Sequence, residues 1–299
     1  MKTLLRRAGF VLAGLALLLM VVFAFAYAAS AARLNKTYDV PDEAIPIPTD
    51  AESIARGQHL VKAVGGCAGC HGADLGGAEF INIPAIAVIN APNLTSGQGG
   101  LGREFTAADF VRALRHGLNP QRTSMWIMPS ENFYSLSDSD LGAVIAYLQS
   151  LPPVDRQMPE RRLGPAGRVL LAANVTELLS AEKIDHFGTR PAAPAPGVTA
   201  DFGDYLARVA GCRTCHGPEL AGAQPPDPSA PRAPNLTPGG ELGRWTEADF
   251  IATLRTGATP GGHPLDESMP WKAAGQMTDD ELQAIFIYLK SRPALPTVK

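Results

Sequence analysis

The chain has 299 residues, enough for two or more domains, and 45 % of them are hydrophobic. The formal net charge is -3; of the 26 Lys and Arg, four precede residue 34, which leaves 22 basic against 29 acidic side chains. That balance argues against a nucleic-acid partner, which requires a basic face. It is compatible with a partner that presents a basic patch, although net charge alone locates no patch.

From Ala8 to Ala32 no side chain is charged, and Lys2, Arg6 and Arg7 precede the run. At 1.5 Å per residue it is long enough for a hydrocarbon core of about 30 Å. The basic flank predicts an N-terminus in the cytoplasm and the remainder of the chain outside. The competing reading is a cleaved signal peptide, with Ala24-Phe25-Ala26 or Ala26-Tyr27-Ala28 as the cleavage site. The run exceeds a usual signal core, so residues 1–33 are read as an uncleaved anchor. Residues 34–50 contain Pro41, Pro46 and Pro48 and read as an extended tether.

Next comes Cys67-Ala68-Gly69-Cys70-His71, and far downstream Cys212-Arg213-Thr214-Cys215-His216. Cys-x-x-Cys-His is the attachment signature of a c-type haem: the cysteines form thioethers and the His supplies an axial ligand. The motifs hold all four cysteines of the chain. A zinc site needs cysteine pairs that converge, and a redox Cys-x-x-Cys leaves the His unexplained. Two covalently attached haem c groups are therefore expected, bound through Cys67, Cys70 and His71 and through Cys212, Cys215 and His216.

Much of the chain between and beyond these motifs repeats. Ala91-Pro92-Asn93-Leu94-Thr95 returns as Ala233-Pro234-Asn235-Leu236-Thr237, Leu101-Gly102-Arg103 as Leu242-Gly243-Arg244, and Met128-Pro129 as Met269-Pro270. A fixed period of this size means two copies of one domain, drawn here as residues 51–151 and 201–299. In each copy a first helix leads to the motif, over Ser53 to Val64 and Phe202 to Ala210. Thr106 with Asp109, and Thr246 with Asp249, resemble capping boxes, and Phe105/Phe110 and Trp245/Phe250 sit as hydrophobic staples. The last helices begin at Ser137 and Thr278. Their apolar residues, Leu141, Val144, Ile145 and Leu148, then Leu282, Ile285, Phe286 and Leu289, mark one helix face. Strand signals are weak, so the expected fold is all-α.

The sixth iron position decides the chemistry. A Met raises the reduction potential, a second His lowers it relative to Met, and an open site invites reaction. Met128 and Met269 each precede a Pro and follow their haem His by similar intervals. Met125 has no methionine counterpart in copy two, and Met277 occupies a core position. His116 and His263 lack repeat equivalents, and His186 is read as structural or exposed. Met128 and Met269 are the expected metal ligands beside His71 and His216.

On these motifs the chain resembles the class I cytochrome c family, in its membrane-anchored dihaem form. The resemblance covers most of residues 51–151 and 201–292. It implies that the Pro92 and Pro234 carbonyls accept hydrogen bonds from the haem histidines, fixing the tautomer and strengthening the ligand. It also implies that first and last helices pack through Gly57 with Tyr147 and Gly203 with Tyr288, and that Arg103, Arg244 and Trp245 approach the propionates. Residues 152–200 depart from a bare dihaem cytochrome. A helix is expected within Leu163 to Ile184, then a stiff spacer from Pro191 to Pro196.

The function implied is electron transfer, not an enzyme activity of its own, because the cofactor carries the chemistry. In the leading reading a single-pass protein of the cytoplasmic membrane faces the periplasm. It relays electrons from a dehydrogenase or quinol-oxidising complex to an oxidase or soluble cytochrome. The second reading is a fixed cytochrome subunit of a dehydrogenase or terminal oxidase. A dihaem peroxidase is disfavoured, since it needs an open haem and two matched methionines argue against one.

Overall fold

A computed structural model describes residues 2–227 and 229–298. Helix α1 (Lys2–Leu34) has 33 residues and is long and apolar enough to cross a membrane. Leu12, Leu15, Leu18 and Val22 stand exposed along it. The Pro-rich segment after it is extended but does not hang free. Thr37 bridges Thr123, Val40 is buried, and Ile45 and Ile47 pack on the main core. Asp42 pairs with Arg112, and Glu43 with Arg115. The tether is thus a strap docked on the first domain.

In copy one, α2 (Ala51–His59) starts on the Asp50 side chain, which accepts from the Ser53 amide at 2.8 Å. It continues into a π-helical turn, Leu60–Val64, and α3 (Ala68–His71) carries the cysteine motif. Strands β1 (Ala78–Ile83) and β2 (Ala87–Ala91) form an antiparallel hairpin. Helix α4 (Ala107–His116) is capped by a complete Thr106/Asp109 box, and the Phe105 and Phe110 rings meet edge-on at 5.4 Å. Helices α5 (Ser130–Phe133) and α6 (Asp138–Ser150) follow. Strand β3 (Arg162–Leu163) adds to β2, and α7 (Pro165–Ala172) lies against the end of α1. Copy two comprises α8 (Ala200–Val209), α9 (Cys212–His216), α10 (Glu247–Thr256), α11 (Trp271–Ala274) and α12 (Asp279–Ser291).

Two expectations are corrected. The fold is mainly helical but not all-α, because copy one and the connector share the three-stranded sheet. The helix expected over Leu163 to Ile184 shrinks to α7. Asn174 there takes φ 56°, a left-handed conformation that stops a helix, and only a short 3-10 turn, Ser180–Lys183, follows.

First and last helices cross closely in both copies. A Cβ on Gly57 would collide with the Ala143 carbonyl, and one on Gly203 with the Ala284 carbonyl; Tyr147 and Tyr288 are the next neighbours. Gly57 lies one residue farther from its cysteine motif than Gly203 does. The π-helical turn absorbs that residue, with the Gly65 amide bonded to the Leu60 carbonyl at 2.7 Å.

The copies pack on each other with approximate two-fold correspondence, and one apolar core runs through both. His59 Nε2 lies 2.6 Å from Glu281, and Tyr205 at the matching place in α8 donates to Asp140 at 2.7 Å. Asp140 and Glu281 are themselves equivalent, both in the first turn of a last helix. Asn132 of α5 accepts from Thr214 of the second cysteine motif at 3.1 Å, while Ala273 of α11 sits beside Gly66, next to the first motif.

Candidate functional site

Each cysteine motif forms a short helix whose last residue is the His. His71 and His216 are buried, with 7 % and 6 % of their surface exposed. His71 Nδ1 lies 2.9 Å from the Pro92 carbonyl oxygen, and His216 Nδ1 lies 2.8 Å from that of Pro234. A carbonyl only accepts, so Nδ1 carries the proton and Nε2 keeps its lone pair for a metal. Burial pushes the pKa of both rings below the usual histidine value, outweighing the carbonyl bonds that raise it. Burial, the larger of the two effects, therefore favours a neutral imidazole, while the carbonyl bond fixes which nitrogen keeps the proton.

The loops that carry the proline carbonyls are themselves held. Asn93 Oδ1 accepts from the Thr95 amide at 2.9 Å, and its Nδ2 donates to the Val154 carbonyl at 2.7 Å. In copy two Asn235 accepts from the Thr237 amide at 2.8 Å and donates to the Leu295 carbonyl at 2.8 Å. These side chains pin the loop to the segment that follows the last helix. Sequence reasoning passed over both asparagines, although their identity in the two repeats was the signal that marks them.

The thiols are poor candidates for redox chemistry. Burial pushes Cys67 up to about 12 and Cys212 up to about 11, whereas a reactive Cys-x-x-Cys needs a depressed value. All four cysteines are free, so they can form thioethers. Free thiols one helical turn apart and a buried imidazole with Nε2 unprotonated fit a covalently bound haem in each copy.

Met128 and Met269 are half-buried and pack against the main core, as do Cys67 and Cys212. Met277 is buried core at 2 % exposure. Met125 lies outside that cluster; its amide bonds the Gly117 carbonyl, as Leu265 bonds Gly257 in copy two. The Met128 loop carries an extra restraint, because buried Ser180 donates from Oγ to the Met128 carbonyl at 2.5 Å. The Ile127 amide also bonds the Leu178 carbonyl. His116 and His186 face each other through their Nδ1 atoms at 3.1 Å, with Glu43 on His116 Nε2, while His263 is exposed. Arg103 and Arg244 are exposed, whereas Trp245 packs against the main core.

A heteroatom ligand set of this kind, twice in one chain, defines a dihaem c-type cytochrome. The cytochrome c family profile matches residues 54–152 and 201–293, and the chain belongs to that family. It carries covalently bound haem c, two groups per chain, and transfers electrons. It is 29 % identical to the fructose dehydrogenase cytochrome subunit of Gluconobacter japonicus over 285 residues, covering 85 % of this chain and 55 % of that protein. It is 27 % identical to the alcohol dehydrogenase (quinone) cytochrome c subunit of Gluconacetobacter polyoxogenes, covering 83 % and 57 %. A diheme cytochrome c-type protein of Cereibacter sphaeroides is 29 % identical, covering 84 % of this chain and 92 % of that one. The chain thus spans little more than half the length of the two dehydrogenase subunits.

Proposed function

We propose that the chain is a membrane-anchored cytochrome subunit that relays single electrons from a dehydrogenase to a respiratory acceptor on the periplasmic side. The observation that carries this reading is the shared interface. Each cysteine motif abuts the other copy's methionine-loop helix, Asn132 against Thr214 and Ala273 against Gly66. Two redox sites in contact along one chain suit a relay better than two independent carriers. The haem irons supply the one-electron couple. His71 with Met128, and His216 with Met269, would be the residues that hold the two irons. Pro92 and Pro234 orient the imidazoles, and the main core keeps water from the sites. Helix α1 anchors the protein in the membrane, with Lys2, Arg6 and Arg7 on the cytoplasmic flank. Relatives named as cytochrome subunits of fructose, alcohol and gluconate dehydrogenases support a dehydrogenase as donor.

Met128→Ala or Met269→Ala is expected to lower the potential of one haem and open it to carbon monoxide, with the other unchanged. A redox titration with carbon monoxide binding checks this. Unchanged potentials in either variant overturn that ligand. Purification in mild detergent tests the assembly: a stoichiometric dehydrogenase chain supports a subunit, and a lone cytochrome refutes it.

A further inference from the structure

A cavity of about 390 Å³ opens where the last turn of α1 meets the Met128 loop, β3 and α7. Arg161, Arg162 and Arg168 line it, and no acidic side chain does. Among the described residues none of the three forms an ion pair. The Arg161 guanidinium lies over the Trp126 ring at 4.4 Å; that of Arg168 lies over Tyr27 at 3.9 Å and donates to Ser30 Oγ. Nearby Arg33 differs, because Glu182 and the Leu171 carbonyl hold it. Three like charges around one cavity repel each other, and a bound anion would relieve them. Arg161 and Arg162 are exposed at the cavity mouth and Arg168 is half-buried, so a ligand entering from outside can reach all three.

A second cavity of about 340 Å³ adjoins the first, sharing Leu163 and Arg168. Its other walls include Phe23, Tyr27, Pro165 and Val169, so it is apolar and runs beside α1 toward its hydrophobic middle. The pair has the shape of an amphiphile: a cationic chamber at the helix end and an apolar slot along it. Basic side chains ordinarily gather on the cytoplasmic flank, where this chain already has Lys2, Arg6 and Arg7. A second basic cluster lies at the opposite end of α1, with no carboxylate among the residues that line its cavity.

We propose that the two cavities hold one anionic phospholipid, its phosphate among Arg161, Arg162 and Arg168 and an acyl chain against Phe23, Tyr27 and Val169. The site rests on α1 spanning the membrane, and the lipid locks α7, β3 and the anchor into one unit. A free phosphate ester would satisfy the arginines alone, and the apolar slot favours the lipid. The test uses the full-length, haem-loaded protein in mild detergent, with native mass spectrometry after adding equal phosphatidylglycerol and phosphatidylcholine. Wild type is expected to retain one phosphatidylglycerol with about tenfold preference. The Arg161→Gln/Arg168→Gln variant is expected to lose the preference while keeping both haem spectra. Lys62→Gln, outside the cavities, is expected to keep it. Equal retention of the two lipids by wild type overturns the proposal. So does an unchanged preference in the double variant, or displacement of the lipid by inorganic phosphate at equal concentration. Recovery of the protein without detergent is a separate outcome that refutes the anchor itself.

Discussion

Asn235→Ala isolates the support behind one haem ligand. Asn235 is 4 % exposed and Thr237 is fully buried. Removing the amide leaves the Thr237 backbone N–H without its 2.8 Å partner and deprives the Leu295 carbonyl of its short donor. Thr237 Oγ1 still reaches Leu295 at 3.4 Å, so that carbonyl is only partly orphaned. One unsatisfied buried donor costs about 1–3 kcal/mol and each lost bond about 1, giving roughly 2–4 kcal/mol. Because one core joins both copies, the melting unit is the pair, and the melting temperature falls by roughly 5–15 °C. The Pro234 carbonyl, freed from its clamp, also orients His216 less firmly, so the second haem's potential is expected to shift while the first stays put. Thermal melts followed in the haem bands, with a redox titration, measure both effects; the intact Asn93 site serves as internal reference. A melt within about 2 °C of wild type with unchanged potentials would refute the clamp.

Gly203→Ala pushes a methyl into the Ala284 carbonyl and should destabilise copy two by about 1–3 kcal/mol as α8 backs away from α12. Denaturant unfolding checks this, and an unchanged midpoint means that the crossing is looser than described. Acid should loosen the strap and connector. Burial holds the His116 and His186 pKa values below the usual one, in surroundings that include Glu43, Arg115, Arg190, Asp185 and Lys36. The unfolded chain then binds more protons. Stability is fully present above about pH 6.5 and falls as pH drops from there toward the depressed folded values. Limited proteolysis of the connector between pH 7 and 5 is the readout; His186→Phe should flatten the profile, and an identical profile would sink the assignment.

What was legible in the residues was local or repeated. The cysteine motifs, the threonine caps and the proline–asparagine loops carry their signals within a few positions, and recurrence doubled each of them. The hairpin was missed although aromatic and β-branched residues flank Pro84, with Phe80, Ile81 and Ile83 before it and Val88 and Ile89 after. Its third strand comes from Arg162–Leu163, a pairing no local pattern announces. The connector helix was overestimated because Leu, Ala and Val favour a helix, whereas exposed Asn174 takes the left-handed conformation that ends it locally. The domain interface joins Arg56 and His59 to Glu281, more than two hundred residues on. Only the folded chain brings such charges together.

The docking of the two copies also has a kinetic side. A tether raises the local concentration of one half around the other to about millimolar, so contacts of modest strength suffice to keep them together. His59–Glu281 and Tyr205–Asp140 occupy matching places with different chemistry. Two identical halves would instead set His59 against Asp140, or Tyr205 against Glu281, so the carboxylate is common to both places and only its partner differs. Either half expressed alone would expose the part of the shared apolar core that the other half covers.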